Sequence, residues 1–252
     1  MIARFARACA ALLPISCSTS GNTPHDATEI PDPTPFAVVE IFTSEGCNSC
    51  PVSDEYVNAL VAHERASGRR VFPIAWHIDY WDDLGWHDPF DAPWCTTRQQ
   101  GYADHNKTTI GTPEMFVNGA SGSYDNADIE RAVTRALLQK ATASVTLSLE
   151  SPPGDPSLVV HHHVASAPRA SRLYVVLVER GLSARPNAGE LSGKLLFHDN
   201  VARAFVAVAP EDGRVTLTLP VAVRRERCSL IAFVQEQQSL AIVGATQLDL
   251  VP

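Results

Sequence analysis

The sequence predicts an α/β domain over residues 36–142 followed by an all-β, sandwich-like domain over residues 143–252. In the first region, short apolar runs alternate with segments of helical spacing, a pattern typical of strands that alternate with helices. In the second region, about seven short segments of alternating polarity are separated by turns rich in Pro, Gly and Asp. No long helical pattern interrupts these segments, so a β-sandwich is favoured there.

The α/β region begins with a strand, a helix and a second strand. Ala37 to Thr43 (AVVEIFT) is an apolar run of the kind found in buried strands, and Val71 to Ile78 (VFPIAWHI) is another. Between them, Ser53 to Ser67 carries apolar residues at helical spacing. A strand, helix and strand of this length predict a parallel, right-handed unit.

The rest of the α/β region adds two helices and a hairpin. Asn118-Gly119 is a strong signal for a tight turn between antiparallel strands. The elements around this turn are, in order, a helix, a strand, a short return strand and a helix: Pro93 to His105, Glu114 to Val117, Ser121 to Tyr124, and Asn126 to Ala141. The complete order of elements is that of a thioredoxin fold.

Cys47 and Cys50 form a C-x-x-C motif where the first strand gives way to the first helix. A helix N-terminus stabilises a thiolate through its unpaired N–H groups and the positive end of the helix dipole. We therefore expect Cys47 to be the more exposed, attacking sulfur, and Cys50 to resolve the mixed disulfide. Pro51 is tolerated in a first helical turn because its missing N–H has no partner there.

Thr112 and Pro113 stand directly before the strand that begins at Glu114. In thioredoxin-like proteins a cis-proline at this place packs against the C-x-x-C pair, and the residue before it offers its backbone to an extended substrate. Cis bonds are essentially confined to X-Pro sequences. We predict that the Thr112-Pro113 bond is cis and that both residues contact the substrate.

Several runs together resemble a known family, the exported thioredoxin-like proteins grouped as domain of unknown function 1223. The runs are VVEIFTSEGCNSCP, IAWHIDYWDDLGWHDPF, RQQGYA and TPEMFVNG, and LLFHDNVARAF is a weaker one. The resemblance implies a thioredoxin-like fold with Cys47 and Cys50 at the active-site position, and it supplies no established substrate. With the Thr-Pro pair, it predicts an exported thiol-disulfide oxidoreductase that needs no cofactor and acts on protein thiols or disulfides.

Two other functions remain open for the same cysteines. Cys47, Cys50 and either His77 or His87 supply sulfur and imidazole, a set that suits copper(I) or zinc, so a copper-binding or carrier module is one alternative. Against it, the paired-cysteine spacing of zinc ribbons normally recurs, and here it does not. The other alternative is a ligand-binding protein in which the disulfide is only structural.

All four tryptophans of the chain lie within a short stretch that follows the second strand, and they are Trp76, Trp81, Trp86 and Trp94. Ligands of open α/β sheets gather at that edge of the sheet. We therefore interpret Trp81, Trp86 and Tyr80 as a cap that covers the C-x-x-C pair and offers aromatic faces to a substrate. The alternative is that the tryptophans fill a secondary core under a long loop.

Three ionisable residues near this edge are candidates for proton transfer. Glu40 lies in the first apolar strand, where burial would raise its pKa and let it accept a proton from Cys50. His77 and Asp79 lie at the end of the second strand. The alternatives are a hydrogen-bonded, structural Glu40 and acids that face solvent or cap a helix.

The N-terminus has the order of an export signal. Arg4 and Arg7 precede a short apolar run, Ala8 to Ile15, which is too short to span a bilayer. Residues 1–17 are therefore a predicted signal peptide or lipoprotein signal, and residues 18–35 a flexible linker. The protein is then periplasmic or secreted, and a lipid on Cys17 would be its only attachment to a membrane.

The charge of the chain limits its possible partners. The formal net charge of −8 and the lack of clustered Lys and Arg argue against nucleic acid as a partner.

Cys95 and Cys228 lie in different predicted domains. They can form an interdomain disulfide if their Cα atoms come within about 7 Å, and otherwise they are two inert thiols.

Overall fold

The computed structural model describes residues 34–120, 122–152 and 154–251. The predicted signal, the candidate lipidation site Cys17 and nearly all of the predicted linker lie outside the described residues. Among the described residues, the helices are too short or too polar to cross a membrane.

The strands and helices predicted for the first region are present, apart from the return strand. Strand β1 and strand β3 have the predicted bounds, and helix α2 is longer than predicted by one residue. The elements are β1 Ala37–Thr43, α1 Pro51–Ser67, β2 Val71–His77, a short 3-10 helix Asp82–Leu84, α2 Pro93–Asn106, β3 Glu114–Val117 and α3 Asn126–Ala136.

Two predictions at the end of this region are wrong in detail. The return strand is reduced to a single bridge between Met115 and Ser123, because the chain turns at once into α3. Asp125 caps that helix, since its carboxylate accepts the N–H of Ala127 at 2.7 Å. Helix α3 ends at Ala136, five residues before the predicted end at Ala141, in a turn closed by the Leu137 N–H.

The second region holds nine strands among its described residues, two more than the seven predicted, because β7 and β8 have only three residues each and show no clear alternating pattern. The strands are β4 Ser144–Leu149, β5 Ser157–Ala165, β6 Ser171–Glu179, β7 Leu182–Ala184, β8 Leu196–His198, β9 Val201–Val208, β10 Gly213–Thr218, β11 Cys228–Glu236 and β12 Ile242–Asp249.

One mixed sheet joins the two regions. Its seven strands run in the order β12-β11-β6-β9-β2-β1-β3. The regions meet where β2 pairs with β9 in parallel, through Ala75 and Val201. A three-stranded sheet, β10-β5-β4, packs over the β6 and β11 end, and β7 and β8 form a small ribbon. The fold is thus mixed α/β, with a large mixed sheet and additional sheets, and strands of both regions belong to the large sheet.

The two faces of β1 and β2 carry separate cores. Val38 and Phe42 point to the face covered by α2, together with Trp76 of β2. Val39 and Ile41 point to the opposite face, which α1 and α3 cover. Both strands are buried along their full length, as expected for parallel strands covered on both sides. This arrangement fixes the end of β1, from which the C-x-x-C turn leaves the sheet.

Candidate functional site

The C-x-x-C pair lies at the predicted strand-to-helix junction and forms a disulfide, with Cα atoms 5.4 Å apart. The turn that carries it is closed by backbone bonds: the Cys47 N–H donates to Ser44 O at 3.1 Å, and the Cys50 N–H donates to Cys47 O at 3.3 Å. Cys50 is the N-cap of α1, and its carbonyl accepts the N–H of Asp54 at 3.0 Å. The pair therefore lies in the field of the first helical turn.

The predicted difference in exposure between the two cysteines is small, because both are buried. Cys47 is 1% exposed and Cys50 is 0% exposed. The cap explains this burial, because a Cβ added to Gly46 would lie only 2.7 Å from the Cβ of Trp81. Only glycine permits that approach, so the backbone at Trp81 lies directly against the turn that carries the disulfide.

The Thr112-Pro113 bond is cis, as predicted. The Thr112 hydroxyl accepts the indole N–H of Trp81 at 2.8 Å, which links the cap to the cis-proline loop. Beside these residues runs a groove of about 560 Å³. Exposed side chains flank it, with Val52 69% and Tyr124 59% exposed. The groove is lined by Ser49, Val52, Ser53, Thr112, Pro113, Tyr124, Asp125 and Asn126.

The aromatic residues of the predicted cap make different contacts. Trp86 donates its indole N–H to Glu45 Oε2 at 2.8 Å, so both Trp81 and Trp86 contact the C-x-x-C turn or the loop beside it. Tyr80 donates to Gln99 Oε1 at 3.2 Å, and burial raises the pKa of Tyr80 to about 12. Trp76 is fully buried in the core, in agreement with the alternative that the tryptophans fill a core.

A cluster of buried ionisable side chains lies beneath the C-x-x-C turn, and we call it the acid–histidine cluster. His77 Nδ1 lies 2.7 Å from Asp88 Oδ2, and the His198 ring lies 4.6 Å from the His77 ring, edge to face. His198 Nε2 lies 3.1 Å from Glu45 Oε1. The cluster consists of Glu45, Asp54, His77, Asp88 and His198, all of them buried.

Burial and mutual attraction set the protonation of this cluster. Burial lowers the pKa of His77, but the carboxylates around it, Asp88 foremost, together outweigh burial and leave the pKa above its ordinary value. Burial raises the pKa of Asp88, and His77 more than offsets that effect and lowers it. The pKa of Asp54 is raised by burial, which exceeds the opposing effects of His198 and His77. Among the described residues, His77 Nε2 has no hydrogen-bond partner.

The other two candidates for proton transfer lie outside this cluster. Glu40 is on the opposite face of the sheet, where its carboxylate pairs with Arg98 and accepts the hydroxyl hydrogen of Tyr102. Asp79 accepts the hydroxyl hydrogen of Thr96. Of the three sequence candidates, the structure brings only His77 to the cysteine side of the sheet, and Glu40 is hydrogen-bonded on the other side, as its alternative predicted.

Sequence reasoning gave no role to the cluster members Asp54 and His198. A signal for Asp54 exists, because it precedes Val57 by three residues and Val61 by seven, on the apolar face of α1. An acid at such a position is either paired or functional. His198 lies in the LLFHDN run of β8, far along the chain, and nothing local places it beside His77.

The other two cysteines of the described residues are unpaired. Cys95 and Cys228 are both free and buried. Burial raises the pKa of the Cys95 thiol well above its ordinary value and that of Cys228 to about 12. The Cys228 thiol donates to the carbonyl of Arg224 at 3.2 Å. Cys95 and Cys228 are therefore two inert thiols, which was the alternative to an interdomain disulfide.

Comparisons with known proteins agree with this architecture. A structure from Agrobacterium tumefaciens is 23% identical, with a TM-score of 0.59 over 84% of this chain and 93% of that chain. HBP35 of Porphyromonas gingivalis is 17% identical, with a TM-score of 0.61 over 86% and 75%. At such identities they show the fold alone. No curated protein matches the chain.

A family of sequences also matches the chain. Its description is "Protein of unknown function (DUF1223)", and it matches residues 38–235, which include the disulfide, the cap and His198. The match spans most of the chain and agrees with the resemblance seen in the sequence. The chain therefore belongs to the DUF1223 family of proteins of unknown function.

Proposed function

We propose that this protein is an exported thiol-disulfide oxidoreductase whose Cys47–Cys50 pair exchanges with protein thiols or disulfides at a thioredoxin-like active-site corner. The observation that carries the proposal is the position of the pair, at the N-terminus of α1 and beside the groove at Thr112-Pro113. Export rests on the predicted signal in residues 1–17, and lipid attachment at Cys17 stays a prediction.

The reaction is two successive exchanges. A substrate thiolate attacks Cys47 Sγ, the Cys47–Cys50 bond breaks, and Cys50 leaves as a thiolate. A second substrate thiolate then attacks the substrate sulfur of the mixed disulfide, which releases an oxidised substrate and the Cys47 thiolate. Both thiolates take up protons. In the opposite direction, Cys47 attacks a substrate disulfide and Cys50 resolves the mixed disulfide.

Proton transfer at Cys50 is the step that the acid–histidine cluster supports. Cys50 is fully buried, so water does not reach its sulfur freely. Asp54 lies one helical turn further along α1 and is bonded to the Cys50 carbonyl through its N–H. A buried acid with a raised pKa, next to two histidines, is suited to hold and return a proton.

Substrate access requires the cap to move. Trp81 lies against Gly46, and its indole N–H is bonded to Thr112, the residue expected to contact the substrate. An extended peptide in the groove would compete for Thr112 and displace Trp81. Loop opening of this kind is a common way to shield a reactive site from water until a substrate binds.

A second candidate is a permanent, structural disulfide. The burial of both cysteines favours it, since inaccessible sulfurs exchange slowly. The two functions differ in reduction potential, because structural disulfides lie below about −300 mV and catalytic pairs lie higher.

Activity is tested with the Cys47→Ser variant in dithiol-dependent insulin reduction and in oxidative refolding of a reduced substrate protein. We expect the variant to lose both activities. Asn48→Ser is the matched control, because Asn48 is exposed in the same turn and carries no sulfur. If Cys47→Ser is as active as the wild-type protein, the proposal is wrong.

A further inference from the structure

We propose that Asp82, His87 and Asp91 form a binding site for one divalent cation of the zinc class. One ligand atom from each of these side chains lies within 4.8 Å of the other two. The site is distinct from the C-x-x-C pair, and the inference does not rest on the proposed redox function. In the described part of the chain this is the group with metal-ligand spacing, whereas Cys47, Cys50 and His77 do not form one.

The fold of the cap loop brings the three side chains together. Asp82 begins the 3-10 helix, and Gly85, with φ of 97°, ends it in a left-handed turn that sends the chain back. His87 Nδ1 then contacts Asp82 Oδ2 and lies 3.6 Å from Asp91 Oδ2. The N–H of Asp88 donates to Asp82 Oδ1 at 3.3 Å. That bond orients the Asp82 carboxylate, as outer contacts of metal ligands commonly do.

Asp91 gives an independent reason to expect a cation. Its side chain is 8% exposed, and its Oδ2 atom, the one nearest His87, has no hydrogen-bond partner among the described residues. A buried carboxylate oxygen without a hydrogen-bond partner is costly, and a divalent ion between the two acids would compensate both charges.

The donor atoms indicate the class of ion. One imidazole nitrogen and two carboxylate oxygens, with no sulfur, are a set that zinc accepts, and a water molecule would fill the fourth position. Calcium and magnesium prefer oxygen ligands alone and in larger number. His87 is 78% exposed, so an ion can enter from solvent on the imidazole side while Asp91 closes the buried side.

The position of the site suggests what the ion would do. Trp81, directly before Asp82, lies against Gly46, and Trp86, directly before His87, donates to Glu45. A cation that ties Asp82 to His87 would therefore fix both tryptophans over the C-x-x-C turn. The site would act as a clip that holds the cap closed.

The test is calorimetric titration of zinc chloride into metal-free, disulfide-bonded full-length protein. We expect one equivalent to bind, with a matching rise in Tm, because a ligand that binds only the folded state stabilises it. His87→Ala and Asp91→Asn should each weaken binding by at least tenfold. The matched controls are Asp83→Asn and His105→Ala, which change exposed residues of the same types outside the site and should leave the affinity unchanged.

Three results would overturn the inference: no bound zinc, an unchanged affinity in His87→Ala, or tighter binding of calcium than of zinc. His87 is exposed, so its replacement does not disturb the core, and the near-ultraviolet circular dichroism of each variant checks that the fold is retained. If zinc binds equally well to His87→Ala and to the wild-type protein, the ion binds elsewhere and the site is wrong.

Discussion

His77 and Asp88 form an ion pair in which neither side chain is exposed, with 2.7 Å between Nδ1 and Oδ2. The pair connects the end of β2 to the cap loop. Asp88 also accepts the N–H of Glu45 at 2.9 Å, so one carboxylate holds the strand, the cap and the loop before the C-x-x-C turn together. Asp88 is thus one of the contacts that fix the position of the cap.

Replacement of Asp88 by Asn should destabilise the protein by about 3 to 5 kcal/mol, the usual result of removing one partner of a buried pair. The effect should depend on pH. Because the pKa of His77 is raised in the folded protein, its protonation adds stability that is fully present below pH 6.5. This stability is lost as the pH rises through the folded pKa of His77. Because the pKa of Asp88 is lowered in the folded protein, its ionisation adds stability that is fully present above pH 3.8. This stability is lost as the pH falls through the folded pKa of Asp88.

The difference in stability between wild type and Asp88→Asn should therefore be largest between these two values. Urea unfolding at a series of pH values measures it. Asp83→Asn, an exposed acid of the same loop, is the control and should change stability by no more than about 0.5 kcal/mol. A difference that stays constant from pH 3 to pH 9 would contradict the proposed charge pairing.

Glu40→Gln distinguishes a structural acid from a proton carrier. The change leaves the guanidinium of Arg98 buried without its anion, so the free energy of unfolding should fall by about 3 kcal/mol or more. The rate of thiol exchange at Cys47 should stay within about twofold, because Glu40 lies on the other face of the sheet. Chemical denaturation and an exchange assay on the folded variant give both values. A large loss of rate in folded protein would restore Glu40 as a proton acceptor.

Trp81→Ala should speed reduction of the Cys47–Cys50 disulfide by a small dithiol. Removing the indole deletes the bond to Thr112 and uncovers the turn at Gly46. We expect an increase of about tenfold, equivalent to lowering the cost of local opening by about 1.4 kcal/mol. Stopped-flow reduction measures the rate. Leu84→Ala is the control, since Leu84 is an exposed apolar residue of the same loop, and an equal increase in both variants would show general loosening instead.

Asp54→Asn should slow exchange at Cys50 without blocking attack at Cys47. General acid–base groups contribute about 10²-fold or more to such steps, so resolution of a mixed disulfide should slow by about that factor. The pH dependence of this step should also change, because a group that titrates has been removed. Asp79→Asn is the control, since Asp79 is bonded to Thr96 outside the cluster. Equal resolution rates in wild type and Asp54→Asn would remove Asp54 from the mechanism.

Local patterns predicted the elements of the first region well because each is specified by nearby residues. Apolar runs gave β1 and β3 with their observed bounds, and the Asn118-Gly119 pair gave a turn in which both residues have positive φ. The Thr112-Pro113 bond is cis, as the placement of the pair before β3 predicted.

Long-range pairing is what the sequence did not predict. The single pair of Ala75 with Val201 joins two regions whose sequence patterns differ, so no local pattern predicts one continuous sheet. The same pairing brings His198 of β8 near His77 of β2. The burial of Cys47 was also missed, because it depends on how the cap loop folds back over Gly46.

The most direct test of the proposed function is the reduction potential of the Cys47–Cys50 pair, measured by equilibrium with glutathione or dithiothreitol buffers. Catalytic pairs of this kind lie between about −270 and −120 mV, and we expect the potential to fall in that range. Cys95→Ser is the control, and its potential should match the wild type, since Cys95 is a buried free thiol. A value below about −300 mV would identify a structural disulfide and contradict the proposal.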